Sequence, residues 1–181
     1  LRTVLCNMIH IVLYEPEIPQ NTGNIMRTCA GTDTHLHLIK PLGFSLDEKS
    51  VKRSGVNYID KCNYTVYENF QHFCEKNTGE FYFLTRYGKK RYTDCDFSDT
   101  NKNIYLIFGK ESTGIPKEIL QKNLDKCFRI PINDNIRALN LSNAVAIVLF
   151  EVLRQQNFNN LLDFDSFKGK DYLTENCVKY N

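Results

Sequence analysis

The sequence predicts an α/β domain built on a mainly parallel β-sheet, and three observations carry that assignment. Short apolar runs rich in β-branched and aromatic residues alternate with stretches of helical period, as the strands and crossover helices of a parallel sheet do. The length of 181 residues suits one domain with one core. Gly, Pro, Asn and charged residues gather in three segments that follow expected strands, where an open α/β sheet carries its ligands.

Taken in order, the run Ile9–Tyr14 is the first expected strand. Pro16 and Pro19 stiffen the exit from it, and Thr22–Thr32 follows as a helix that Asn21 or Thr22 is suited to cap. Leu36–Lys40 is the second strand, and a short helix is expected at Leu46–Lys52. Asn63–Val66 and the helical stretch Tyr67–Lys76 form the next pair. The aromatic run Phe81–Thr85 and the uninterrupted apolar run Ile104–Phe108 read as strands, the latter with the composition of a strand buried on both faces. Lys117–Asn123 is expected to be helical, and Cys127–Ile130 extended. The clearest helix is Leu141–Gln156, where Val145, Leu149, Val152 and Leu153 recur at spacings of three and four and Ala144, Ile147 and Val148 widen the stripe. That stripe is wide enough to face more than its own sheet. The unit therefore spans residues 8–158, and residues 159–181 form a polar C-terminal extension with room for one short helix.

Composition excludes several classes. With 42% hydrophobic and 24% charged residues the chain is not disordered, and it holds no apolar run long enough to span a membrane. It is expected to be soluble. The net charge of +2 is too small for a protein that coats nucleic acid by charge alone, so any RNA contact must be local. Seven widely spaced cysteines without a C-x-x-C pair argue for reduced thiols in the cytoplasm rather than a disulfide framework or zinc site. Nor do the four histidines show metal spacing; His35 and His37 share one face of a strand and read as solvated or core-edge side chains.

The first of the three loops is Glu15-Pro-Glu-Ile-Pro-Gln-Asn-Thr-Gly-Asn-Ile-Met-Arg27, in which Gly23 admits a close neighbour and Arg27 lies on the following helix. The second, Phe108-Gly-Lys-Glu-Ser-Thr-Gly-Ile-Pro116, fails the Walker A spacing because Ile115 and Pro116 follow Gly114. Gly109 there lets a flat ligand approach the main chain, and Glu111 offers a carboxylate at the rim. The third runs from Ile130 to Asn143, where Asn140, Ser142 and Asn143 are strong capping types at the start of the last helix. Its length in so compact a chain points to function. No G-x-G-x-x-G follows the first strand and no G-x-S-x-G elbow occurs, so ordinary dinucleotide and hydrolase sites are disfavoured. For RNA, the basic candidates are Lys49, Lys52, Arg53 and Lys61, and above all Arg86-Tyr-Gly-Lys-Lys-Arg-Tyr92. There Arg86, Lys89, Lys90 and Arg91 interleave with two tyrosines, a pairing able to neutralise phosphates and stack a base.

In this order and spacing the loops resemble the SPOUT superfamily of RNA methyltransferases, and more closely its small TrmL (YibK-like) subfamily of tRNA ribose 2′-O-methyltransferases. The matching pieces are Ile11 to Arg27, Leu106 to Pro116, Arg129-Ile-Pro-Ile and Leu139-Asn-Leu-Ser-Asn-Ala144. The resemblance implies an α/β sheet whose C-terminal third is threaded into a trefoil knot, a topology no general rule would have derived. It implies S-adenosylmethionine as cofactor, met by main-chain groups at Leu84, Gly109, Ile130 and Ala138 and walled by Ile132, Leu139 and Leu141. It also implies a cytoplasmic homodimer without metal, joined through its first and last helices, and tRNA as partner, with the wobble nucleotide of leucine tRNAs as target. Arg27 matches the arginine proposed to act on the ribose hydroxyl or its neighbouring phosphate; Asn21, Glu111, Ser142 and Asn143 are the other polar candidates. Two positions depart from the pattern: Ala138 stands where the family often has serine, and Phe150 where close relatives often have tyrosine. A catalytically silent RNA-binding member, a methyltransferase of another RNA and a small-molecule α/β protein are the competing readings.

Overall fold

In the computed structural model, which describes residues 9–46 and 59–174, the six apolar runs and the basic pair Lys90–Arg91 form seven strands: β1 (Ile9–Tyr14), β2 (His35–Ile39), β3 (Tyr64–Tyr67), β4 (Glu80–Leu84), β5 (Lys90–Arg91), β6 (Ile104–Phe108) and β7 (Cys127–Arg129). They form one sheet in the order β3-β2-β1-β6-β4-β7-β5, and every pairing is parallel. Among the described residues four α-helices accompany it: α1 (Pro19–Thr32), α2 (Phe70–Lys76), α3 (Lys117–Gln121) and α4 (Leu141–Gln155).

A strand covered on both faces has no solvent side, which is why all five residues of β6 are buried and apolar. On one face Ile11, Leu13, Leu36, Leu38, Leu106 and Phe108 pack in one cluster with Ile25 and Met26 of α1 and Val145, Leu149 and Val152 of α4. On the other, Val12, Ile39, Phe83 and Ile107 pack with Phe73 of α2 and Leu120 of α3. Each fully buried side chain of this size contributes roughly 1.5–3 kcal/mol. The α4 stripe is wider than the sheet needs: Ile147 and Phe150 are left exposed.

One connection departs from simple β-α-β winding. β7 comes late in the chain yet lies between β4 and β5, which are consecutive. The Thr85 amide donates to the Phe128 carbonyl at 2.9 Å, and the turn after it passes so close that a Cβ on Gly88 would stand 2.6 Å from the Phe128 carbonyl carbon. Only glycine fits there.

Apart from β5, which no expectation covered, the sequence expectations hold for the existence of these elements and differ at several ends. α1 begins at Pro19, not Thr22; Pro at the first helical position costs no hydrogen bond and presets φ. Asn21 and Thr22 therefore lie inside the first turn, both buried, and cap nothing; Ile18 occupies the cap position without a side-chain bond. Tyr67 ends β3 rather than opening a helix, because Asn69 caps α2 by accepting from the His72 amide at 2.8 Å. The expected helix at Leu46–Lys52 lies, beyond Leu46, outside the described residues, as do Lys49, Lys52 and Arg53. Among the described residues of the C-terminal extension, 159–174, turns occur but no helix.

Candidate functional site

The three loops meet at the C-terminal ends of β1, β4, β6 and β7, and charged and amide groups bind them together. Glu111 accepts from the main-chain amides of Glu17 at 2.9 Å and Ile18 at 3.2 Å and from the Asn21 side chain at 2.9 Å. Asn21 in turn accepts from the Asn140 amide group at 2.9 Å. Asn140 is the N-cap of α4: its Oδ1 accepts from the amides of Ser142 at 2.9 Å and Asn143 at 3.3 Å and from the Ser142 hydroxyl at 2.7 Å. A continuous polar chain thus runs from the second loop through the first to the third. A carboxylate satisfied by several donors holds its position more firmly than a neutral acceptor would.

The first two loops share further contacts. Glu17 accepts from the amide and the hydroxyl of Ser112, each at 2.9 Å, which hold its carboxyl below the usual range. Lys110 pairs with Glu15 at 2.9 Å, and that hydrogen bond raises the ammonium pKa. Gly109 makes the fold-back possible, since a Cβ there would fall on the Gly114 carbonyl carbon and the Ile115 amide nitrogen. Its missing side chain serves the approach of the protein's own backbone, where the sequence had suggested the approach of a ligand.

Above this frame opens a cavity of about 540 Å³, within the roughly 300–1,000 Å³ of small-molecule sites. Leu84, Gly109, Ile130, Ile132, Ala138, Leu139 and Leu141 all line it. So do Asn21 and Glu111, whereas Arg27, Ser142 and Asn143 do not. Arg27 is exposed on the solvent side of α1, away from the face that buries Ile25, Met26 and Cys29. Ser142 and Asn143 contribute their amides to the cap beneath the cavity.

The basic segment has more structure than a free loop. Lys90 and Arg91 form β5, paired with Phe128 and Arg129. Tyr92 is half-buried against the core, while Tyr87 is 65% exposed and lines the cavity together with Arg86. Arg86 lies 4.7 Å from the centre of the Tyr87 ring and donates to its hydroxyl at 2.5 Å. Only one of the two tyrosines is therefore presented for stacking. Sequence reading missed Tyr87 as the selected member, and it missed Arg137, a third-loop side chain that lines the same cavity; neither difference is visible without knowing which side chain the core consumes. Lys89 is exposed beside them. No group of His, Cys, Asp and Glu among the described residues is arranged to hold a metal ion, and no described helix is long and apolar enough to cross a membrane.

Comparison with known proteins bears on what this arrangement does. Residues 8–150 match the model of the SpoU rRNA Methylase family. A Listeria innocua protein named "Putative tRNA (cytidine(34)-2′-O)-methyltransferase" is 56% identical over 162 residues, covering 89% of this chain and 96% of the relative. The tRNA (cytidine(34)-2′-O)-methyltransferase of Methylovorus glucosotrophus is 45% identical over 153 residues, covering 83% and 97%. A solved structure described as giving insight into 2′-OH methylation of C/U34 on tRNA superposes with a TM-score of 0.77 at 35% identity, covering 84% of this chain and 99% of that one.

Proposed function

Because the chain belongs to the SpoU rRNA Methylase family, we propose that it is an S-adenosylmethionine-dependent tRNA methyltransferase that modifies the ribose 2′-hydroxyl of the wobble nucleotide, with leucine tRNAs as its substrates. The observation that carries this reading is the convergence of Leu84, Gly109, Ile130, Ile132, Ala138, Leu139 and Leu141, drawn from three separate segments, on one cavity. The cavity suits the cofactor. Its volume and its aliphatic walls fit an adenosine, and Leu84, Gly109, Ile130 and Ala138 can offer main-chain donors and acceptors to the base and ribose. Ala138 in place of serine is then of little consequence, because its main chain makes the contact. When bound, S-adenosylmethionine supplies an electrophilic methyl group on a sulfonium sulfur.

What the chain itself supplies is alignment and charge. Glu111, Asn21 and Asn140 hold the three loops in register, with Ser142 and Asn143 fixed beneath as the first turn of α4. A guanidinium is a poor base, so Arg27 is assigned to the phosphate beside the target ribose and to the negative charge that develops on its 2′-oxygen. Arg86, Lys89, Lys90 and Arg91 neutralise phosphates of the anticodon arm, with Arg53 as a further contact.

The working form is a homodimer joined through α1 and α4. The exposed Ile147 and Phe150 on α4, and Ile18 at the start of α1, support this, since a lone α4 leaves apolar surface uncovered. In such a dimer Arg27, which lies outside the cavity of its own chain, serves a site shared between subunits. The insertion of β7 between β4 and β5 supports a trefoil knot in the C-terminal third, and tRNA as substrate supports a cytoplasmic site of action.

Transfer of labelled methyl groups from S-adenosylmethionine to unmodified and cellular tRNA pools, followed by nucleoside mass spectrometry, tests the proposal. The expected product is a 2′-O-methylated wobble nucleotide, lost in Arg27→Ala. Binding of both cofactor and tRNA without any product would select the catalytically silent reading instead.

A further inference from the structure

The charges around the cavity do not balance among themselves. Three cations line it, Arg86, Lys110 and Arg137, against the single carboxylate of Glu111. Lys110 is already paired with Glu15 at 2.9 Å. Both oxygens of Glu111 are taken by the amides of Glu17 and Ile18 and by Asn21. Arg86 is held against the Tyr87 ring and hydroxyl, which leaves its charge uncompensated. Arg137 has no hydrogen bond or ion pair among the described residues and is exposed, one position before the cavity-lining Ala138 and Leu139.

We infer that Arg137 is an oxyanion-binding residue of this site, with Arg86 as the second cation at the same mouth. The inference rests on the proposed methyltransferase reading and adds a binding residue to it. An arginine fork matches the two oxygens of a carboxylate or phosphate, and it is less strongly hydrated than a lysine ammonium. Two ligands of the proposed reaction bring such a group to this mouth: the amino-acid carboxylate of the cofactor, and the phosphate flanking the reacting ribose. The third loop supports the role structurally. Asn140, three residues on, is pinned to Asn21 and to the start of α4, so the segment carrying Arg137 is anchored on its C-terminal side.

The test uses the full chain and compares wild type with Arg137→Ala, Arg137→Lys and, as a control off the cavity, Lys122→Ala. Calorimetry is run with S-adenosylhomocysteine and with 5′-methylthioadenosine, which keeps the adenosine and thioether but lacks the carboxylate. Methyl transfer to tRNA is measured across a salt series.

If the carboxylate is the ligand, Arg137→Ala weakens S-adenosylhomocysteine roughly ten- to hundredfold and leaves 5′-methylthioadenosine unchanged. If the phosphate is the ligand, both nucleosides bind as before, KM for tRNA rises about tenfold, and the log–log salt dependence becomes shallower by about 0.7–0.9. Arg137→Lys recovers part of either effect, and Lys122→Ala changes neither. The assignment is overturned if every quantity stays within about twofold of wild type, the smallest change above the scatter such interactions show. Equal weakening of both nucleosides overturns it too, since that reports collapse of the pocket. Failure of the wild-type chain to bind S-adenosylhomocysteine or to transfer methyl defeats the functional reading itself, and the assignment of Arg137 with it.

Discussion

At the C-terminal ends of β1 and β6 the polar chain Glu111–Asn21–Asn140 ties three loops together beneath an open cavity. Toward the N-terminal ends of β1 and β2, on the face packed by α2, a second polar cluster is assembled from His10, His35 and His37. His37 bonds His10 at 2.9 Å through one ring nitrogen and the Tyr67 hydroxyl at 2.9 Å through the other. His10 stacks on Tyr105 with ring centres 4.2 Å apart, and His35 bonds Thr65 at 2.9 Å. The two clusters solve the same problem, polar groups inside a sheet protein, in opposite ways. The first fixes a charged acceptor with main-chain and side-chain donors and leaves a concave surface above it. The second keeps its rings neutral: burial, then the neighbouring histidines, push His10 down to about 4 and His37 to about 3, and burial lowers His35. A concentration of histidines is therefore no guide to the site in this chain. What marks the site is polar groups that tie loops together beneath a concave surface.

Removing the carboxylate that joins the loops is expected to have the largest effect. Glu111→Ala leaves two main-chain amides and the Asn21 side chain short of an acceptor, so methyl transfer should fall by about two orders of magnitude or more. Stability should drop by about 1–3 kcal/mol, measurable by urea unfolding. Near-normal activity in a folded Glu111→Ala chain would remove that carboxylate from the site's architecture. Asn140→Ala comes next: loss of the α4 cap costs about 1 kcal/mol, and cofactor affinity should weaken together with stability because the same side chain holds Asn21.

The histidine cluster should respond to acid. Its folded-state pKa values lie below the ordinary 6.5, so the unfolded chain takes up protons first and stability falls as pH drops from about 6.5 toward 4. The structural reason is that protonated His10 and His37 would face each other donor to donor. His37→Phe should make the acid limb of a thermal-melt series shallower; an unchanged limb would place acid sensitivity elsewhere.

The smallest effect concerns Thr22, whose buried hydroxyl has no hydrogen-bond partner among the described residues. Thr22→Val should leave unfolding free energy unchanged or raise it by about 1 kcal/mol, whereas a clear loss would reveal a partner for that hydroxyl.

How far these features were legible depends on how local they are. β1 and β6 were expected with the bounds they have, because a short, mostly apolar run states its own limits. The Asn140 cap was likewise readable from capping chemistry next to a strong helical stripe. β5 was not, since Lys90 and Arg91 carry no apolar pattern and become a strand only because β7 arrives beside them. The insertion of β7 between consecutive strands is a property of the whole chain that no window of sequence contains. Asn21 and Thr22 were read as caps because they are capping types; the helix instead begins at Pro19, which puts both inside its first turn, and the Asn21 side chain donates to Glu111, ninety positions away. The residues lining the cavity were legible through the resemblance, and the selection of Tyr87 over Tyr92 only through packing.

The most direct test of the account is methyl transfer to an unmodified leucine tRNA compared with the same tRNA carrying a 2′-deoxy wobble nucleotide. The account predicts one methyl group per tRNA on the first and none on the second. Equal transfer to both would contradict it, by placing the methyl group on a base or on another ribose.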